Sequence, residues 1–140
     1  MVRLIIGSKG NGKTKRLIEM VNAAVAADHG SVVCLERDVK LTYDIHHKAR
    51  LIQTAPYALD GYAGLRGFVS GLYAGNYDTT AVFIDSLYKI AGSNDAAQAT
   101  AFLDWLEGFG NRNGISFTVT ISAPASDATE GMKPYITDCP

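Results

Sequence analysis

Residues 2–14 read Val-Arg-Leu-Ile-Ile-Gly-Ser-Lys-Gly-Asn-Gly-Lys-Thr, and this stretch decides the fold class. The apolar run at residues 2–6 is short and stops at a glycine, which predicts a buried strand. Apolar side chains then recur at helical spacing over residues 13–28, which predicts a helix. A second short, β-branched run at residues 32–35 predicts another buried strand. Strand, helix and strand in this order predict a parallel unit with a right-handed crossover.

The same alternation continues along the chain. Short apolar runs predict strands at residues 80–84 and 115–122, with a brief further strand at 49–52. Helical spacing predicts helices beginning near Asp60 and near Asp95. Alternating strands and helices imply a parallel sheet covered on both faces. We therefore predict a three-layer α/β/α fold with a mainly parallel sheet of four to five strands. It forms a single domain over residues 1–140, with a tail from about residue 124 that is loose or docked only lightly.

Composition excludes several classes of protein. With 140 residues, of which 47% are hydrophobic, the chain can bury one ordinary core. No apolar run has the roughly 20 residues of a membrane helix, so we expect a cytoplasmic protein without membrane insertion. The net charge of −1 does not indicate a nucleic-acid partner. However, residues 1–50 contain nine Lys or Arg against five acidic residues, which suits an anionic ligand near the N-terminal half.

The turn after the first strand has the Walker A spacing G-x-x-x-x-G-K-[ST], followed by a predicted helix. In such a loop the backbone N–H groups converge on phosphate oxygens, and the helix N-terminus adds partial positive charge. Lys13 would neutralise phosphate charge, and Thr14 would place its hydroxyl group on a magnesium ion. The alternative is a glycine-rich turn that precedes Lys-Thr by chance. The predicted nucleotide-binding residues are Gly7, Ser8, Lys9, Gly10, Asn11, Gly12, Lys13 and Thr14.

A phosphate loop needs a second group that holds magnesium, and Asp85 has the expected position. It directly follows the apolar run at residues 80–84, as the acid of a Walker B strand does. The carboxylate would orient water bound to the metal. The alternative is an ordinary helix cap, because Asp followed by Ser often begins a helix.

These residues resemble the P-loop NTPase superfamily, over the phosphate loop, the strand before it and Asp85. One or two predicted strands lie in sequence between the phosphate loop and Asp85. This spacing resembles that of the RecA-like and AAA-like branch of ATPases. The whole chain resembles short bacterial ATP-binding proteins sometimes labelled as relatives of the twitching-motility ATPase. The resemblance implies a P-loop NTPase fold, a nucleoside triphosphate ligand, ATP and Mg²⁺ as cofactors, and hydrolysis.

The resemblance implies a catalytic role for Lys13 and for further residues elsewhere in the chain. In this branch a glutamate often follows the Walker B aspartate, but here Ser86 follows. Glu36, at the end of the second predicted strand, is a substitute, and the alternative is a solvated acid at a strand end. Ser122, which ends the last predicted strand, corresponds to a polar sensor of the γ-phosphate. An arginine that stabilises the transition state could come from a protein partner or a second copy of the chain.

Three functions fit the pattern. The leading one is an ATP-binding protein with slow or partner-stimulated, magnesium-dependent hydrolysis. A regulatory module that binds nucleotide without hydrolysing it is the main alternative, because no glutamate follows Asp85. A small-molecule kinase ranks lower, since no arginine-rich lid is evident in the sequence. A guanine-reading Asn-Lys-x-Asp motif is absent from the sequence.

Overall fold

The computed structural model describes residues 1–10, 12–41 and 44–140. Its centre is an all-parallel sheet of six strands in the order β3-β2-β4-β5-β1-β6. The strands of this described part are β1 (Val2–Gly7), β2 (Ser31–Glu36), β3 (Arg50–Gln53), β4 (Thr79–Ile84), β5 (Ser116–Ser122) and β6 (Ile136–Asp138). The α/β class with a parallel sheet is confirmed.

Helices cover both faces of the sheet. They are α1 (Lys13–Ala27), α2 (Gly61–Gly75), the five-residue α3 (Leu87–Ala91) and α4 (Ala96–Asn113). Alternate residues of each central strand enter different cores. In β4, Phe83 packs on the α1 side with Leu17 and Val21, whereas Ile84 packs with residues of the other three helices. The described part of the chain therefore has three layers, with α1 and the segment after β2 on one face and α2, α3 and α4 on the other.

The prediction of four to five strands was too low, because β6 was missed. This strand has only three residues, and its sequence Ile-Thr-Asp contains no apolar run. It forms by pairing in parallel with β1, where Leu4 lies opposite Ile136. The tail before it is also docked, since Met132 is fully buried in the main core. The structure thus differs from the loose or lightly docked tail that the sequence predicts.

Strand register brings several predicted site residues to one edge of the sheet. Gly7 lies opposite Ser122 at the ends of β1 and β5, and the backbone N–H of Ala123 donates to the Gly7 carbonyl. Leu35 and Ile84 are paired at the ends of β2 and β4, so Glu36 and Asp85 follow side by side. Because all strands are parallel, these residues share the carboxyl edge, where α/β proteins bind ligands.

Within the described residues, no helix combines the length and the apolar character needed to cross a lipid bilayer.

Candidate functional site

A cleft of about 340 Å³ opens at the carboxyl edge of the sheet. One wall is the turn between β1 and α1, the floor is the ends of β4 and β5, and the opposite wall comes from residues that follow β2 and β4. Among the described residues, five lysines and one carboxylate contribute to the lining, so the cleft is strongly electropositive. The lining residues are Lys9, Gly10, Gly12, Lys13, Thr14, Lys15, Lys40, Asp85, Ser86, Lys89, Thr120 and Ser122.

The turn between β1 and α1 depends on its glycines. Gly10 and Gly12 have φ angles of 87° and 80°, in the left-handed region that side chains other than glycine rarely adopt. Gly12 is the N-cap of α1, and no described side chain caps that end or places an acid in its first turn. The first N–H groups of a helix have no partner within the helix. The N-terminus of α1 therefore offers backbone donors and partial positive charge to the cleft.

Lys13 is the first residue of α1 and is only 6% exposed. Its Nζ donates a hydrogen bond to the carbonyl oxygen of Ser8 at 2.8 Å, which holds the side chain beneath the turn. Burial lowers the pKa of Lys13, and the negative charge of Asp85 opposes this shift only in part. The site thus keeps a poorly solvated cation that an anionic ligand would stabilise.

Asp85 is 5% exposed and is oriented by Thr120, a buried residue of β5. The Thr120 hydroxyl donates to Asp85 Oδ1 at 2.8 Å and accepts from the Ser86 backbone N–H at 2.7 Å. The helix-cap alternative for Asp85 is wrong, because the N-cap of α3 is Ser86 and no side chain caps that helix. Among the described residues Asp85 forms no ion pair with Lys13, although both line the cleft. Its carboxylate is thus held in place without being paired to that cation.

Glu36 lies beside the cleft and not within its lining. It is 3% exposed, so the alternative of a solvated acid is wrong. One carboxylate oxygen accepts from the Lys40 backbone N–H at 2.9 Å, and the other accepts from Gln53 Nε2 at 3.1 Å. Glu36 shares a small neighbouring cavity with Asp85. Its present contacts fix the start of the segment that carries Lys40.

Ser122 lines the cleft, as its position at the end of β5 predicts. Thr14 lines the same cleft as Asp85, so the two predicted magnesium-holding residues lie in one site. Asn11, predicted to bind nucleotide, lies outside the described residues. Gly7 and Ser8 lie at the base of the turn, where Ser8 contributes its carbonyl oxygen to Lys13.

Five residues of the cleft lining were not predicted as site residues from the sequence: Lys15, Lys40, Ser86, Lys89 and Thr120. Thr120 had a detectable signal, because it is a polar residue two positions before Ser122 and therefore on the same face of β5. Lys40 and Lys89 had none. They reach the cleft only because the segment after β2 and the short helix α3 lie beside each other.

No protein-family model matches this chain. No curated protein gives a significant match either.

Proposed function

We propose that this protein binds ATP with magnesium in the cleft and hydrolyses it slowly or with stimulation by a partner. The observation that carries the proposal is the placement of Lys13 and Asp85. A nearly buried lysine at the start of α1 and a nearly buried aspartate at the end of β4 line one electropositive cleft.

The turn supports the binding of phosphate groups. Its glycines take left-handed conformations that allow close approach of the backbone to a ligand. The uncapped N-terminus of α1 supplies donors and partial positive charge, and Lys13 adds a full charge already in position. All of these features would contact phosphate groups, so they favour a polyphosphate ligand without selecting its base.

The chemistry of the donor set fits magnesium. Mg²⁺ prefers oxygen ligands and is commonly held by one or two protein groups together with substrate phosphates. Here Thr14 would offer a hydroxyl group and Asp85 a carboxylate, either directly or through metal-bound water. When bound, the ion neutralises negative charge on the phosphate oxygens. Thr120 keeps the Asp85 carboxylate oriented through its hydrogen bond to Oδ1.

The preference for ATP depends on the resemblance of residues 7–14 and Asp85 to the P-loop NTPase superfamily. The sheet order supports this resemblance. Strand β5 lies between β1 and β4, so Ser122 at its end lies between the turn and Asp85. In this arrangement Ser122 is well placed to contact a phosphate group. The sequence contains no guanine-reading Asn-Lys-x-Asp motif, which argues against GTP.

A binding module without turnover is the second candidate, and the contacts of Glu36 favour it. A general base must lie within hydrogen-bond reach of the attacking water, but Glu36 does not line the cleft, and its carboxylate is held by the Lys40 N–H and Gln53 Nε2. Ser86, which follows Asp85, cannot replace a carboxylate base. Slow intrinsic hydrolysis is therefore the expected behaviour, with Glu36 becoming available only if its contacts rearrange.

Phosphate release from ATP, measured with and without magnesium, tests the proposal. We expect slow, magnesium-dependent release that falls by about 10²- to 10³-fold in Lys13→Ala, because a preorganised charge is lost. Asp85→Asn should raise the magnesium concentration needed for half-maximal release, because one of the groups that hold the ion loses its charge. Lys133→Ala is the matched control, since Lys133 is exposed and pairs with Glu130 away from the cleft.

The other outcomes separate the alternatives. Tight ATP binding without phosphate release would support the regulatory module. Transfer of phosphate to an added acceptor would support a small-molecule kinase. Release that is unchanged in Lys13→Ala would contradict the proposal.

A further inference from the structure

The wall of the cleft opposite the turn carries two exposed lysines, Lys40 and Lys89. Lys40 lies four residues after the end of β2, and Lys89 lies in α3, just after Asp85. Both also line the small cavity beside Glu36, so the two side chains belong to one group. The nearby ammonium group of Lys40 is the main reason that the pKa of Lys89 is lowered, with burial and the positive charge of Lys9 adding to the shift.

Two like charges held together are unfavourable unless an anion joins them. The negative charge of Asp38 opposes the lowering of the Lys89 pKa. However, the Asp38 carboxylate already lies 3.5 Å from Arg37 Nη1. Among the described residues, neither Lys40 nor Lys89 forms an ion pair. The protein nevertheless fixes this wall, since the buried carboxylate of Glu36 accepts the backbone N–H of Lys40. The two ammonium groups therefore have no ion-pair partner among the described residues, although the carboxylates of Glu36, Asp38 and Asp85 line the same small cavity.

The sheet order sets where this wall lies relative to the turn. The turn follows β1, the lysines follow β4 and β2, and β5 lies between them. A ligand whose phosphates are held by the turn must extend past Ser122 and Thr120, at the end of β5, to reach the lysines. The last phosphate of the chain is the group that can do so, whereas a diphosphate held in the same way is one phosphate shorter.

We infer that Lys40 and Lys89 form a second cationic arm that binds the terminal phosphate of a nucleoside triphosphate, and that Glu36 positions this arm. The inference rests on the proposed function and deepens it. The arm belongs to the chain itself. It supplies the kind of positive charge that an arginine supplies in the ATPases that the sequence resembles. It also makes the site prefer triphosphate over diphosphate.

Calorimetric titration with a non-hydrolysable ATP analogue and with ADP, both with magnesium, tests the inference. Charge-assisted hydrogen bonds to phosphate are strong, so Lys40→Ala and Lys89→Ala should each weaken analogue binding by at least about tenfold. ADP binding should change by less than about twofold, because the arm does not reach the β-phosphate. Lys89→Arg keeps the charge and should keep the preference for the triphosphate.

Lys48→Ala is the matched control, since Lys48 is an exposed lysine of the same region that lines a different cavity. It should leave both affinities unchanged. Equal weakening of analogue and ADP, or no weakening of either, would overturn the inference while leaving the proposed function intact. If the unmodified protein binds neither nucleotide, the proposed function itself fails. Both lysines are exposed, so the variants should fold, and thermal unfolding of each variant checks this.

Discussion

The hydroxyl group of Thr120 connects the two residues that follow β4. It donates to the Asp85 carboxylate and accepts from the Ser86 N–H, and Ser86 has a φ angle of 58°. A serine in this left-handed conformation is strained by roughly 1–3 kcal/mol and persists only when its surroundings hold it. Thr120 therefore both orients the acid and holds the turn that begins α3.

Replacing Thr120 by valine removes this hydroxyl group while keeping the shape of the side chain. The buried Asp85 oxygen and the Ser86 N–H both lose a partner, so the free energy of unfolding should fall by about 1–3 kcal/mol. Urea denaturation measures the change. Thr120→Ser is the control, because it keeps the hydroxyl group and loses one methyl group, worth about 0.8 kcal/mol. Equal stability of the serine and valine variants would show that the hydroxyl contacts contribute little.

At the scale of residues, the sequence predicted those residues of the cleft that belong to a local motif. Lys13 and Thr14 follow glycines at a fixed interval, and Asp85 ends an apolar run, so these positions are visible along the chain. Lys40 and Lys89 are separated by 49 positions and come together only through folding of the elements around them. No rule based on nearby residues could have paired them.

At the scale of elements, the segment after β5 contributes more to the fold than its composition indicates. The Thr129 and Thr100 hydroxyl groups hydrogen-bond to each other at 2.7 Å, and the Tyr135 hydroxyl donates to Asp104. Both contacts attach this segment to α4. Met132 completes the attachment, because its side chain is buried in the main core.

Met132→Ala tests this attachment. A fully buried methionine replaced by alanine typically costs about 2–5 kcal/mol, so the free energy of unfolding should fall by an amount in that range. The exposed neighbouring residue Lys133 provides the control, since Lys133→Ala removes only a surface ion pair worth about 0–1 kcal/mol. If the free energy of unfolding falls as little in Met132→Ala as in the control, the segment is only loosely attached.

Elements with a clear apolar pattern were predicted, including the four-residue strand β3, whereas α3 and β6 were missed. The sequences of β1, β2 and β4 are mainly apolar because these strands are buried on both faces, and β5 alternates polar with apolar residues. The five residues of α3 are too few to show a helical period, and β6 is defined by its pairing with β1. Pairing partners and tertiary contacts decide such elements, and these are not local properties of the sequence.

At the scale of the whole molecule, the parallel sheet gathers charge that the composition conceals. The net charge is −1, yet the described lining of one cleft contains five lysines and one carboxylate. Because the ends of β1, β2, β4 and β5 lie at the same edge, side chains from distant parts of the sequence converge there. A ligand bound in this cleft contacts elements on both faces of the sheet and should therefore stabilise the whole fold.

Calorimetric titration of MgATP into the unmodified protein and into Lys13→Ala tests whether the cleft binds a nucleoside triphosphate. We predict saturable binding at one site per chain in the unmodified protein. The same titration should give a loss of affinity of at least about tenfold in Lys13→Ala, since one charged contact to phosphate is removed. Equal affinity in the two proteins, or no binding heat with the unmodified protein at millimolar ATP, would contradict the assignment of this cleft to a nucleoside triphosphate.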